Sequence, residues 1–323
     1  MKTVSRKENL TYVLGADISP VLKVAQRESF MVETEDNLTD FIKSEKDLPT
    51  IQNLRPSTDY SPWKHNPLTG PVYIEGAQRG DLLVVRIEQI KPEKQGHTCI
   101  IPGFGPLTDS RLWPELGEAH THIFKHIPGP SGTTRDGKAV YREGVVWNLN
   151  PFIGTIGVAP DFEVESSLVG QGVWGGNWDC RDIKEGTKLY LPCFHEGALL
   201  FLGDVHATQG DGEWTGVANE TKAEVLLNCM VIKNKTIPYP RLEKEKSIVQ
   251  LYTDKPLESA VNKAIVNLIK WLVEDYEMTP IDAYLQISTN PDFRINIYQM
   301  VDAGRLHYTV GAEFPKDYLV SKS

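Results

Sequence analysis

Residues 80–90 have the sequence Gly-Asp-Leu-Leu-Val-Val-Arg-Ile-Glu-Gln-Ile, and this stretch indicates how the chain folds. Leu83, Val85 and Ile87 alternate with their neighbours, so they share one face of an extended segment. The Gly80-Asp81 pair before them is typical of a turn that opens a strand. The stretch therefore predicts a β-strand over residues 82–90.

The same pattern recurs through the first 240 residues. Glu185-Gly186 precedes an apolar run over residues 187–194, and Gly203-Asp204 interrupts another run before Val205. Ala223 begins an alternation that continues to residue 231. Short strands separated by frequent turns indicate a β-sandwich or jelly-roll body, whereas a βαβ sheet needs long helical crossovers.

The pattern becomes helical near the C-terminus. Apolar residues recur at helical spacing from residue 257 to about residue 277, with Asp254 as a candidate cap. Thr279 and Pro280 are typical of the cap and first position of a second helix that ends near Ser288. Residues 292–301 fit either a strand or a short helix.

The sequence thus predicts a mainly β protein of the α+β class. We expect a mostly β body over residues 1–240, with a C-terminal α+β segment over residues 241–323 packed on it. The boundary near residue 240 is soft, because neither a repeat nor a low-complexity linker marks it.

Composition and charge exclude several classes of protein. Among 323 residues, 34 Lys+Arg against 43 Asp+Glu give a net charge of −9, which does not suit a general nucleic-acid binder. No apolar run approaches the roughly 20 residues of a membrane span, and the N-terminus lacks the apolar stretch of a signal peptide. Four cysteines without Cys-x-x-Cys pairing suggest reduced thiols and a cytoplasmic protein.

Two glycine-framed polar stretches are the candidates for chemistry. Residues 203–213 read Gly-Asp-Val-His-Ala-Thr-Gln-Gly-Asp-Gly-Glu, which is more polar than a connecting turn requires. In residues 175–182, Asn177 and Asp179 share one side if the segment is extended. With His206 and Glu213 they would form an oxygen-rich site with one imidazole, which suits a hard cation or zinc. A tight hairpin with solvated charges remains an alternative for the first stretch.

Other residues near these stretches are weaker candidates. Glu33 and Asp36 belong to an early acidic group, for which a solvated edge strand is the simpler interpretation. Trp178 and Trp214 flank the polar stretches and could line a pocket or simply pack. Cys180 is a poor nucleophile, because the adjacent carboxylates raise the pKa of its thiol.

At these stretches the sequence resembles the acetamidase/formamidase family. The resemblance is carried by residues 66–77 with Gly80-Asp81, then residues 154–160, 175–179, 189–199 and 203–213, in the order of the family. It covers roughly residues 20–320 and departs from the family at Thr208 and in residues 217–220. The resemblance implies a largely β, self-associating cytoplasmic enzyme. That enzyme would hydrolyse a short amide to carboxylate and ammonia and would hold a divalent metal, zinc or calcium.

Without a convincing Ser or Cys triad, a metal-activated water is the expected nucleophile. We expect Asp36, Asp179 and His206 to be metal ligands, with Glu33 and Asn177 as lesser candidates. Glu213 is the expected general base and later acid, with a pKa raised by burial near Trp214. Three further assignments complete the hypothesis: Asn177 is the oxyanion donor, His206 also has a catalytic role, and Trp178, Trp214 and Gln209 line the substrate pocket.

Two other classes of function remain open at this point. Paired carboxylates on a β-sandwich also suit a glycoside hydrolase, which needs one acid and one base or nucleophile. A non-catalytic β-sandwich that binds a sugar or Ca²⁺ is the second alternative.

Overall fold

The computed structural model describes residues 1–50, 65–301 and 304–320. Its helices are α1 (Leu257–Asp275) and α2 (Pro280–Thr289), together with the short 3₁₀ turns Pro114–Gly117, Thr134–Asp136 and Lys316–Tyr318. The strands, numbered along the chain, are β1 (Lys2–Val4), β2 (Leu10–Thr11), β3 (Val13–Gly15), β4 (Leu22–Val24), β5 (Ser29–Thr34), β6 (Leu68–Ile74), β7 (Leu82–Pro92), β8 (Gln95–Ile100), β9 (His120–Ile127), β10 (Lys138–Arg142), β11 (Val145–Asn148), β12 (Phe152–Val158), β13 (Val164–Ser166), β14 (Gln171–Gly172), β15 (Gly175–Asn177), β16 (Lys188–Pro192), β17 (Leu200–Thr208), β18 (Asn219–Glu220), β19 (Ala223–Ile232), β20 (Arg241–Glu243), β21 (Ser247–Asp254), β22 (Arg294–Gln299) and β23 (Tyr308–Pro315).

These strands form two large sheets. Within the described ranges, nine strands form one sheet in the order β1-β5-β19-β7-β16-β20-β21-β23-β22. The second sheet follows the order β11-β10-β9-β8-β18-β17-β12-β15-β14, with β6 paired to β17 and both β2 and β4 paired to β6. Strands β3 and β13 form a separate antiparallel pair.

The main core lies between the two sheets. Val85, Leu189 and Leu227 come from the nine-stranded sheet, Ile153 and Leu202 come from the other, and all five belong to one cluster of buried side chains. The predicted mainly β architecture is confirmed. The alternation in β7 works as predicted, because its apolar residues at 83, 85 and 87 are fully buried whereas Arg86 is exposed.

One predicted interruption is wrong. The sequence places a break at Gly203-Asp204, but β17 continues through it from Leu200 to Thr208. Strand β17 lies between two partners there, because Gly203 pairs with Thr155 of β12 and with Leu68 of β6. Pairing on both sides keeps the chain extended where glycine and aspartate alone favour a turn.

The C-terminal segment extends the nine-stranded sheet and covers it with helices. Helix α1 packs its buried face, including Leu268 and Leu272, on β21 and β23. Thr279 caps α2 as predicted and forms a capping box with Asp282, whereas the N-cap of α1 is Pro256 rather than Asp254. The Asp254 carboxylate instead accepts hydrogen bonds from Ser259 Oγ and Lys263 Nζ.

Residues 292–301 contain strand β22, which settles the choice between strand and helix. The division near residue 240 stays a prediction, and the sheet is continuous across it because β16 pairs with β20. Neither described helix has the length and hydropathy that a membrane span requires.

Candidate active site

His206 lies at the centre of a buried group of carboxylates. Strand β17 places Asp204 and His206 two residues apart, and His206 is only 1% exposed. Its Nε2 atom lies 3.4 Å from Asp204 Oδ1, 3.3 Å from Glu220 Oε2 and 3.9 Å from Asp179 Oδ1. Three carboxylates from different parts of the chain therefore face one ring nitrogen.

Asp179 reaches this group through the short strand β15. Asn177 at the end of β15 pairs with Thr155 of β12, and the next turn brings the Asp179 N–H to Gly154 O at 3.1 Å. Gly175 and Gly176 have φ values of +107° and +121°, which glycine adopts far more readily than other residues. The glycine pair in the sequence is therefore required by the backbone that leads to Asp179.

Three of the site carboxylates stand on left-handed backbone. Asp179, Asp204 and Glu213 have φ values of 48°, 54° and 47°. Non-glycine residues seldom adopt this conformation, and it persists where the surrounding structure over-determines it, as at functional sites. The backbone is therefore held in an unfavourable region at three of the four points where a carboxylate enters the cluster.

Glu220 enters from the neighbouring strand. Strands β17 and β18 are antiparallel, and their register sets His206 directly opposite Glu220. Glu220 Oε1 accepts a hydrogen bond from the Ala218 N–H at 2.8 Å, whereas the buried Oε2 has no hydrogen-bond partner among the described residues. A buried carboxylate oxygen without a donor is costly, so Oε2 is an atom that a bound cation would satisfy.

Glu213 completes the cluster from the loop after β17. The C-terminal segment anchors this loop, because Met300 N–H donates to Gly212 O at 2.8 Å and Gly212 N–H donates to Tyr298 O at 3.2 Å. The Glu213 side chain is buried, and the nearby Asp179 carboxyl group disfavours its ionised form electrostatically. Two carboxyl groups that interact in this way share a proton rather than both ionising.

The electrostatics of the cluster are dominated by burial. Burial, reinforced by the Asp204 carboxylate, raises the pKa of Asp179 to about 7. Burial also raises the pKa of Glu220 to about 7, although His206 opposes the shift. Burial and the neighbouring Asp179 raise the pKa of Glu213 well above its usual range. Burial alone would lower the pKa of His206, but the carboxylates of Glu220 and Asp204 outweigh it and raise that pKa.

The donor set fits a divalent cation. Among the basic groups of residues 1–50, 65–301 and 304–320, only His206 lies within ion-pair distance of Asp179, Asp204 and Glu220. One imidazole therefore faces more negative charge than it can neutralise, and a buried excess of charge requires protons or a metal. Asp179, Asp204 and His206 offer ligand atoms that all lie within 4.8 Å of one another. Glu220 and Glu213 form a second such group with the same histidine.

Hydrogen bonds from neighbouring side chains orient the carboxylate of Asp204. Asn66 Nδ2 donates to Asp204 Oδ2 at 3.0 Å. Thr155 Oγ1 lies 3.0 Å from both Asp204 Oδ2 and Asn177 Oδ1, and its single proton serves one of them at a time. Asn177 Nδ2 donates to Leu168 O at 2.8 Å, so at most one of its two N–H groups is left for a substrate.

A cavity of about 400 Å³ opens beside the cluster. Asn177, Asp179, Asp204, His206, Glu213 and Glu220 form its polar part. Its apolar part includes Phe104, Leu168, Val169 and Leu306. The site therefore joins a polar centre to an apolar wall, as small-molecule sites commonly do.

The three residues predicted to line the substrate pocket lie outside this cavity. Trp178 is fully buried in the main core, where its ring stacks at 6.2 Å from that of Tyr239. Trp214 is 54% exposed and lines a separate groove with Gln209 and Glu213. The Gln209 side chain is held by hydrogen bonds to His206, Asp179 and Tyr298.

Glu33 and Asp36 are not brought to the cluster. Asp36 Oδ1 accepts hydrogen bonds from the N–H groups of Leu38 and Asp40, so its carboxylate closes a local turn beside Glu35 and Asp40. Glu33 Oε2 accepts from Ser5 Oγ at 3.1 Å, next to a different cavity. Adjacent acidic residues in sequence do not fix the direction of their side chains, and neither residue is carried into the proposed site.

Cys180 is buried in the main core. Burial, together with the nearby Asp182 carboxylate, raises the pKa of its thiol well above the usual range. The thiolate that a cysteine nucleophile needs is therefore suppressed, in keeping with the sequence-based interpretation.

The sequence analysis missed Asp204 and Glu220 as members of the group around His206. Strand alternation would have found Asp204, because it stands two residues before His206. Nothing local to Glu220 reveals its role, since the β17–β18 register brings it opposite His206.

Comparisons with known proteins identify the family and agree with this fold. The sequence model of the acetamidase/formamidase family matches residues 3–171 and 169–316. An acetamidase from Bacillus halodurans has 31% identity and a TM-score of 0.84, with 98% of both chains covered. An acetamidase from Yersinia enterocolitica has 32% identity and a TM-score of 0.85, covering 98% of this chain and 92% of that one.

Among curated sequences, a putative formamidase from Schizosaccharomyces pombe is 29% identical over 214 residues, which is 52% of each chain. The chain spans about half the length of the curated relatives that it matches.

Proposed function

This chain belongs to the acetamidase/formamidase family, and from that premise we propose that it hydrolyses a short-chain amide to its carboxylate and ammonia. The observation that carries the proposal is the convergence of Asp179, Asp204, Glu213 and Glu220 on the buried His206. Such a cluster is unfavourable for folding alone, so its retention indicates a role in binding or catalysis.

The metal site of the proposal consists of Asp179, Asp204, His206 and Glu220. The orphaned Glu220 Oε2 and the shortage of positive charge both support a divalent cation at this point. Zinc suits a set that contains an imidazole nitrogen, whereas calcium prefers oxygen ligands alone, and we propose zinc before calcium. When bound, such a cation polarises a carbonyl and lowers the pKa of a coordinated water from 15.7 toward about 7.

Glu213 is the proposed proton carrier. Its side chain lines the cavity, and burial together with the nearby Asp179 carboxylate raises its pKa above that of an ordinary glutamate. In this role it accepts a proton from the attacking water and delivers one to the departing nitrogen.

Asn177 remains the proposed oxyanion donor, through the N–H that it does not donate to Leu168. Removing one such donor typically costs about 10²–10³-fold in rate. The apolar wall at Phe104 and Leu168 would contact the acyl group of the amide.

We also propose that the protein is a cytoplasmic homo-oligomer. The four cysteines are all free and buried, which suits a reducing compartment. The exposed side chains Leu112, Trp113, Val146 and Trp147 offer apolar surface for self-association. Light scattering on the purified protein tests the oligomeric part, and a monomer at micromolar concentration would contradict it.

The experiment for the proposed activity is an ammonia-release panel of formamide, acetamide, propionamide and urea. It is run with added Zn²⁺, added Ca²⁺ or chelator. We expect ammonia from at least one simple amide and loss of that release with chelator. Absence of ammonia from every amide, with reducing sugar released from glycosides instead, would replace the amidase by a glycosidase. Thermal stabilisation by Ca²⁺ or sugar without any turnover would indicate a binding protein.

A further inference from the structure

Gln209 connects the proposed metal site to two other parts of the fold. Its Nε2 atom donates to Asp179 O and to Tyr298 O, each at 2.9 Å. Its Oε1 atom lies 2.9 Å from His206 Nδ1. Carbonyl oxygens can only accept hydrogen bonds, so the amide nitrogen must face the two carbonyls and the amide oxygen must face the ring.

This amide orientation decides which nitrogen of His206 carries a proton. Because Gln209 Oε1 can only accept, the proton between the two side chains belongs to His206 Nδ1. In the neutral ring the lone pair is then on Nε2. Nε2 is the atom that faces Glu220 and Asp204 at 3.3 and 3.4 Å. In the neutral ring, the form that can ligate a metal, the lone pair therefore points to the place where the carboxylates converge.

Gln209 also holds the main chain of Asp179. That residue has left-handed backbone with a φ of 48°. Its N–H donates to Gly154 O, and its carbonyl oxygen accepts from Gln209. The same Gln209 amide is anchored on Tyr298 of strand β22, so the C-terminal segment reaches the site through this side chain.

We propose that Gln209 is a positioning residue that fixes His206 as a metal ligand through Nε2 and holds the backbone of Asp179. This inference rests on the metal site of the proposed function. It assigns Gln209 a role different from the substrate contact that the sequence suggests, because its amide is committed to three groups of the protein. Removal of the amide weakens cation binding although every ligand is retained.

Gln250 provides a matched control. It is also buried, and its Nε2 lies within hydrogen-bond distance of the carbonyl oxygens of Tyr239, Pro240 and Leu251, at 3.4, 3.1 and 3.1 Å. It lines neither the site cavity nor the adjoining groove. Gln209→Met and Gln250→Met therefore both lose hydrogen bonds from a side-chain amide to backbone carbonyls. Only Gln209→Met also loses the contact with His206.

The first measurement is a titration of the chelator-treated, full-length protein with Zn²⁺ by calorimetry. We expect Gln209→Met to bind Zn²⁺ about 10–100-fold more weakly than the wild type, the range found when the partner of a ligating histidine is removed. Gln250→Met is expected to stay within about twofold of the wild type, because distant sites act independently. Circular dichroism confirms that both variants are folded.

The second measurement is NMR of ¹⁵N-histidine-labelled protein loaded with ¹¹³Cd²⁺. We expect coupling of ¹¹³Cd to Nε2 of His206 and a directly bonded proton on Nδ1. Gln209→Glu keeps an acceptor for Nδ1–H and is expected to keep this pattern, whereas Gln209→Met loses the fixed Nδ1 proton. If Gln209→Met does not fold, Gln209→Glu replaces it in the test. Gln209→Glu is then expected to keep the coupling pattern of the wild type and to bind Zn²⁺ more weakly than the wild type.

Coupling through Nδ1 in the wild type, or equal Zn²⁺ affinity of Gln209→Met and the wild type, would overturn the inference alone. A wild-type protein that binds neither Zn²⁺ nor Cd²⁺ would overturn the proposed metal site and this inference together.

Discussion

Single residues in the site are arranged for chemistry at the expense of stability. Glu220 Oε2 is buried without a hydrogen-bond donor, and Glu213 is buried against a second carboxyl group. Each arrangement disfavours the folded, metal-free protein, since a buried negative charge without a partner is costly. Substitutions at these residues should therefore separate catalysis from stability.

Replacing Glu213 by glutamine tests its role as proton carrier. The amide cannot accept and return a proton, so Glu213→Gln should lower kcat/KM for the best amide about 10²–10⁴-fold. The melting temperature should stay close to that of the wild type, because one carboxyl of a repulsive pair is removed. Ammonia release and thermal melts measure the two quantities. Glu33→Gln, far from the cluster, is the control, and a wild-type rate from Glu213→Gln would remove Glu213 from the mechanism.

Replacing Glu220 by glutamine tests the balance between charge and metal. Without metal, Glu220→Gln should melt at the same temperature as the wild type or higher, because it removes a buried charge. Added Zn²⁺ should raise the melting temperature of the wild type through preferential binding to the folded state and should have a much smaller effect on the variant. Equal Zn²⁺ stabilisation of both proteins would exclude Glu220 as a ligand.

At the scale of elements, strand pairing assembles the site. Strands β12, β15, β17 and β18 bring Asp179, Asp204, His206 and Glu220 together. Alternation of apolar residues predicted β7 well, and helical spacing predicted the helical segment well, because periodicity is a local property of sequence. The partner of each strand is not local, so the sequence placed Glu33 and Asp36 at the site and missed Glu220.

Gly154 on strand β12 leaves space for the carboxylates. A Cβ atom there would lie 2.9 Å from Asp179 Oδ1 and from Asp204 Oδ2, and 2.7 Å from Asp204 O. Gly154→Ala should therefore displace both carboxylates and lower turnover at least about tenfold, since small displacements at a reacting centre are costly. Steady-state kinetics and Zn²⁺ titration measure the effect.

Gly210→Ala is the steric control for Gly154→Ala. A Cβ atom at Gly210 meets nothing within 4 Å. The free energy of unfolding of Gly210→Ala should therefore differ from that of the wild type by less than about 0.5 kcal/mol. Wild-type kinetics and Zn²⁺ affinity for Gly154→Ala would show that the carboxylates are not packed against this strand as described.

At the scale of the whole molecule, the C-terminal segment shares the nine-stranded sheet with the body. The carboxylate of Glu243 on β20 accepts hydrogen bonds from two residues of β16, Lys188 Nζ at 3.1 Å and Tyr190 Oη at 2.6 Å. It also accepts one from Lys316 Nζ at 3.0 Å, just after β23. The composition change after residue 240 is real, but it marks the start of helices and not the end of a sheet. Continuity of a sheet depends on pairing between distant strands, which composition does not reveal.

The pH dependence of stability reports on this junction. Burial alone would raise the pKa of Glu243, but hydrogen bonds from Tyr190, Lys316 and Lys188 outweigh it and lower that pKa to about 2. The unfolded chain has a pKa near 4.5 at this residue, so the stabilisation is complete above that pH and is lost as the pH falls toward 2. Glu243→Gln should cost about 1–2 kcal/mol at pH 7, after allowance for solvent screening, and progressively less below pH 4.

Denaturant unfolding between pH 2.5 and pH 7 measures this difference. The exposed Glu245 is the control position, where substitution by glutamine should change the free energy of unfolding little at any pH. A destabilisation by Glu243→Gln that is independent of pH would mean that the carboxylate charge does not stabilise the junction.

The central claim is that a divalent cation in the His206 cluster supports amide hydrolysis, and restoration of activity tests it most directly. Chelator-treated protein is titrated with Zn²⁺ while ammonia release from its best amide and bound metal are both measured. We predict that the stripped protein is inactive and that activity returns in proportion to the metal bound. Full activity in protein that elemental analysis shows to hold no metal would contradict the claim. A covalent nucleophile would then be the next hypothesis, and Cys180 would be the first residue to substitute.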